Sequence, residues 1–137
     1  MASASNTTGV THSSGKMLVS LNAASQFSLK LTRENYPAWR AQIVPVLRGH
    51  NLMGYVDGSF PCPSQGVQKE GKEVPNSDHE FWVCQDQLIL AAIIASTSFS
   101  FMHVVSSAET SAEAWNKIKS SCANRNATRI LDRKSVV

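Results

Sequence analysis

The stretch SDHEFWVCQDQLILAAIIAS, residues 77–96, decides the fold class. Ser77 and Glu80 have the spacing of a capping box, in which each side chain satisfies a backbone N–H that the first helical turn leaves unpaired. Phe81, Cys84, Leu88, Ala91 and Ala95 then fall on one helical stripe, and Trp82, Ile89 and Ile93 on a neighbouring one. A helix apolar around so much of its circumference is buried on two sides, or on one side and by a partner. The run Leu88–Ala95 falls far short of the roughly 20 apolar residues that cross a bilayer, so no membrane association is expected.

Downstream, Phe99 to Val105 reads as a short apolar helix, and Thr110 with Glu113 repeats the capping box. That box opens a helix carrying Trp115, Ile118 and Cys122 on one stripe. Asn124–Asn126 is expected to break it, with a new helical pattern from Ala127 to Lys134. Upstream, Pro61, Pro63, Gly66, Gly71 and Pro75 make residues 58–76 a long surface loop.

An earlier helix is predicted from Asn35, as N-cap, to Arg48, with Tyr36, Trp39, Ile43 and Val46 or Leu47 on its apolar stripe. Pro37 suits its first turn, Pro45 should kink it and Gly49 ends it. One more turn, Asn51 to Tyr55, precedes the turn signal Asp57-Gly58. Met17, Val19 and Leu21, then Phe27, Leu29 and Leu31, alternate with a break at Asn22–Ser25, which predicts a short N-terminal β-hairpin. The Ser/Thr/Asn/Gly-rich residues 1–16 are expected to be a disordered tail. The chain is thus read as mainly α: a small bundle of about five helices over residues 17–134, with 135–137 as a second tail.

At 137 residues and 42% hydrophobic content the chain suffices for one modest domain. Its formal net charge of +3 does not by itself indicate a nucleic-acid binder. Cys62, Cys84 and Cys122 are odd in number and widely spaced, which fits a reducing compartment, cytoplasmic or nuclear. His12, His50, His79 and His103 are scattered, and there is no Cys/His ligand pairing, carboxylate cluster or Gly-rich phosphate loop. No enzyme activity, cofactor, metal or small-molecule substrate is therefore expected. Lys117, Lys119, Arg125, Arg129 and Arg133, with Lys134, form a local basic excess that can meet RNA phosphates or lie on a solvated helix face. No aromatic follows Trp115 to stack on bases.

A set of motifs adds to this reading. Asn35-Tyr36-Pro37-Ala38-Trp39 gives N-Y-x-x-W, and Leu52-Met53-Gly54-Tyr55-Val56-Asp57-Gly58 gives L-x-G-Y-V-D-G. Trp82 and Asp86 give W-x-x-x-D, and Glu113-Ala114-Trp115 gives E-A-W. In this order they resemble the N-terminal part of the Gag polypeptide of plant copia-type LTR retrotransposons, over roughly residues 26–130. The resemblance implies a capsid-like helical fold that self-associates, with itself or related Gag chains, around element RNA. It also implies that Asn35, Tyr36, Trp39, Leu52, Asp57, Gly58, Trp82, Asp86 and Trp115 serve the core. Trp82, Ile89 and Ile93 are the candidate assembly face, although core burial is the favoured role for that stripe. Family members continue to a zinc knuckle that this sequence does not contain, so a truncated Gag is expected. Two other readings remain: an RNA-binding module through the basic C-terminal segment, or a domesticated domain that captures a peptide.

Overall fold

The computed structural model describes residues 16–136, with side chains as far as residue 123. Of the expected tails, 1–16 and 135–137, residues 1–15 and Val137 lie outside the described residues, whereas Ser135 and Val136 belong to the last helix rather than to a tail. Among the described residues there are six α-helices and one two-stranded antiparallel sheet. In chain order these are α1 (Ala23–Gln26), α2 (Tyr36–Gly49), α3 (Met53–Asp57), β1 (Gly66–Lys69), β2 (Lys72–Pro75), α4 (Ser77–Ala95), α5 (Met102–Val105) and α6 (Ser111–Val136). A 3-10 turn, Phe99–Phe101, leads into α5.

α2 begins one residue after Asn35, as the Asn-x-Pro start implies, and continues through Pro45. Pro45 faces solvent, so water can serve the Ala41 carbonyl that loses its helical partner. The helix ends in a Schellman motif: the Leu52 N–H donates to the Leu47 carbonyl at 2.7 Å and the Asn51 N–H to that of Arg48 at 3.1 Å. Leu47 and Leu52 are both buried, completing the hydrophobic closure of that motif. Asn51, at φ +59°, takes the left-handed position, and Gly49 is simply the last helical residue. Asn tolerates that conformation better than other side-chain-bearing residues.

Four expectations are corrected. The predicted loop at 58–76 contains the hairpin, with Val67 opposite Val74 and Lys69 opposite Lys72. Glu70 and Gly71 both have positive φ, +52° and +78°, which is the two-residue turn whose twist matches its strands. The predicted hairpin at Met17–Leu31 does not form, because α1 separates the two alternating segments and each is fastened elsewhere. Ser77 does not cap α4; Asn76 does, its Oδ1 accepting from the Asp78 N–H at 3.1 Å. Finally, α6 runs unbroken through Asn124–Asn126, since internal asparagines cost a helix only about 0.5 kcal/mol each and no Gly or Pro interrupts it.

α4 packs against α6 and α1, and α6 also covers α3 and α5. The core joins Phe27 and Leu31, Trp39, Ile43 and Leu47 of α2, Tyr55 and Val56 of α3, Ile89 and Ile93 of α4, Phe101, Val105, and Trp115 and Ile118 of α6. The second expected stripe of α4 is the buried one; Phe81, Cys84 and Leu88 are half-buried and Ala91 is exposed.

Candidate functional site

The motif residues turn out to be fasteners between elements. Trp39 is fully buried, its indole N–H donating to Ser96 Oγ at 3.1 Å, and its ring lies 5.6 Å from that of Trp115. Trp39 therefore ties α2 to the end of α4 and to α6. Trp82 donates to the Phe60 carbonyl at 2.9 Å and packs 5.2 Å from Tyr55, joining α4 to α3 and to the start of the hairpin loop. Asn35 makes no cap bond to α2; its side chain accepts from the Thr32 N–H at 2.7 Å and donates to the Lys30 carbonyl at 2.8 Å. Tyr36 is half-buried with its ring 6.2 Å from Trp39.

Asp57 accepts from the Ser59 N–H at 2.8 Å, a bond that holds its carboxyl below the usual range. Gly58 follows at φ +85°, where any other residue is strained. Gly54 has a different constraint: a Cβ there would lie 2.8 Å from that of Phe60.

Asp86 is the buried charge of the motif set. It accepts from the Ser111 N–H at 3.2 Å and from the Ser111 hydroxyl, so it fixes the start of α6 on α4. Desolvation raises its pKa, although the bonds from Ser111 pull the other way. Burial and the Asp86 charge push the Tyr55 phenol up to about 12.

The stripe weighed between assembly and core burial lies inside this core: Trp82, Ile89 and Ile93 are 8%, 0% and 1% exposed. They therefore present no free surface, and Trp82 is covered in part by Tyr55 of α3. Among the described residues the large apolar side chain most open to solvent is Phe99, 92% accessible and held in the 3-10 turn while its neighbour Phe101 is buried. Sequence periodicity put Phe99 in an apolar helix with Phe101 and gave no sign that the two face opposite ways. Leu29, partly exposed, lies on a segment that runs beside the same end of α4, where the Leu31 N–H donates to the Ser96 carbonyl at 2.8 Å.

The two basic residues of α6 with described side chains, Lys117 and Lys119, face different surroundings. Lys117 pairs with Glu113 at 3.2 Å and donates to Ser107 Oγ at 2.8 Å. Lys119 faces a separate cleft beside α2. The side chains of Arg125, Arg129, Arg133 and Lys134 lie outside the described residues.

The nearest approach to a catalytic pair is Cys62 with His79, Sγ to Nδ1 3.2 Å. The same Nδ1 lies 2.8 Å from the Pro63 carbonyl, and a nitrogen donating to a carbonyl has no lone pair left to take a thiol proton. The Cys62 thiol is moreover pushed up, opposite to what a reactive cysteine needs. Among the described residues no group of three or more His, Cys, Asp or Glu side chains is placed to hold a metal, and no helix is long and apolar enough to cross a membrane.

Residues 22–64 match the family model for the Gag polypeptide of LTR copia-type elements. Over 117 residues, 83% of this chain, the sequence is 34% identical to the retrovirus-related Pol polyprotein from transposon RE2 of Arabidopsis thaliana. Over 104 residues, 76% of the chain, it is 33% identical to the corresponding polyprotein from transposon RE1 of the same plant. The matches span 8% and 7% of those two polyproteins. No solved structure matches the chain.

Proposed function

Because this chain carries a copia-type Gag region, we propose that its work is structural: it self-associates, with its own copies or related Gag chains, and catalyses nothing. The supporting observation is Phe99. A phenylalanine almost wholly in water, on a turn fixed by buried neighbours on both sides, is a ready contact for a second chain. Burying one such ring from each of two copies contributes about 1.5–3 kcal/mol apiece.

Light scattering coupled to size exclusion, over a concentration series, tests the reading. Mass should grow reversibly with concentration, and Phe99→Asp should weaken association by about 100-fold or more, given two lost burials. The exposed position makes that substitution harmless to the fold, which circular dichroism checks. A wild-type chain that stays monomeric at every concentration removes the proposal. Association untouched by Phe99→Asp removes this surface from it.

A further inference from the structure

A cleft of about 400 Å³ lies between α2, α3 and the first turns of α6. Arg40 and Arg48 line it from α2, separated by about 12 Å of helix axis at 1.5 Å per residue. Lys119 faces them from α6, and Met53 and Trp115 contribute apolar wall. The single carboxylate in the wall, Asp57, is already engaged by the Ser59 N–H. Arg40 bonds the neutral Tyr36 hydroxyl, and neither it nor Arg48 nor Lys119 forms an ion pair with another described residue.

Three cations against the one carboxylate of Asp57 leave this concave, partly apolar space a net positive charge and focus a positive potential there. Guanidinium groups meet phosphate oxygens through two parallel bonds, which makes them suited to this anion. Two features favour a compact ligand over a nucleic-acid strand. Trp115, the aromatic of the wall, is buried and leaves no face for base stacking. On the adjoining face of α6, Lys117 is neutralised by Glu113, so the basic surface does not continue there as a track.

We infer that this cleft is a binding site for a compact ligand carrying several phosphate groups, held by Arg40, Arg48 and Lys119. The site does not depend on self-association, and Phe99→Asp is expected to leave it intact.

Isothermal titration of the full chain with inorganic tripolyphosphate at low ionic strength tests this. Saturable binding that weakens as NaCl is raised is expected. In parallel, the Trp115 indole resonance in an ¹⁵N-labelled sample should shift while that of Trp82 stays in place. Arg40→Gln with Arg48→Gln should weaken binding by at least about tenfold. Lys69→Gln with Lys72→Gln on the hairpin removes the same net charge and should change affinity little. Equal losses in the two double variants, or no saturable binding, overturn the proposal. So does a 12-nucleotide single-stranded RNA that binds in an Arg40- and Arg48-dependent way while tripolyphosphate does not, since the ligand is then a strand.

Discussion

Residues 16–32 bury Phe27 and Leu31 in the core but are also held in place by polar fasteners to their backbone, whereas α2, α4 and α6 meet one another largely through aromatic and aliphatic side chains. The buried Gln85 of α4 bonds both backbone groups of Val19, accepting from its N–H at 2.8 Å and donating to its carbonyl at 2.7 Å. Gln42 of α2 does the same for Leu29, at 3.0 and 3.1 Å. Leu31 forms a single parallel bridge with Thr97. Each amide thus stands in for a neighbouring strand along an extended segment that has none. The helical core works differently: its contacts are non-directional and scale with the area removed from water. Directional bonds set which residue of the segment sits where; apolar burial supplies most of the free energy.

The largest test of that division is Trp39→Ala. It deletes a fully buried ring that touches α6 and leaves the Ser96 hydroxyl without its donor, so a loss of about 3–5 kcal/mol is expected in urea unfolding. For a domain of this size that approaches the whole stability. Gln85→Ala should cost less, about 1–3 kcal/mol, because it leaves two backbone groups of Val19 without their partner. Its signature is local: hydrogen exchange at Val19 should accelerate far more than exchange at Ile89. Equal acceleration at both sites would mean the segment and the core unfold as one unit, and the contrast drawn above would fail.

The smallest effect is a pH dependence within the core. Asp86 has a folded pKa raised above 3.8, so the folded chain holds this proton more tightly than the unfolded one. Its contribution to stability is fully present below 3.8 and is lost as pH rises through the folded value. Asp57 and Glu113 are shifted down, so theirs is lost as pH falls through their folded values. Comparing wild type with Asp86→Asn isolates the first effect. Relative to the variant, wild type should gain stability as pH falls from neutrality towards 3.8, measured by urea unfolding. No relative change with pH would mean that Ser111 fully compensates the buried charge.

The sequence by itself determined that the chain is mainly helical, where α2, α4 and the start of α6 lie, and which aromatics form the core. Those features rest on apolar periodicity, capping residues and turn signals, all local and written in consecutive residues. The Thr110–Glu113 spacing illustrates this in one of its two expected bonds: the Glu113 N–H donates to Thr110 Oγ1 at 3.1 Å, while the Glu113 carboxylate accepts from the Glu109 N–H at 3.0 Å. The motif order N-Y-x-x-W to E-A-W was equally legible, and it led to the Gag family before any contact was known. Only the tertiary structure decided which stripe of α4 is buried, because both stripes are apolar and only packing against other elements distinguishes them. It also decided that the alternation before α2 does not make a hairpin: pairing needs a partner, and Gln85, Gln42 and the Leu31–Thr97 bridge supplied others from more than ten residues away. The opposite facing of Phe99 and Phe101, and the meeting of Arg40 and Arg48 with Lys119, are likewise products of helix placement, which periodicity within one segment does not encode.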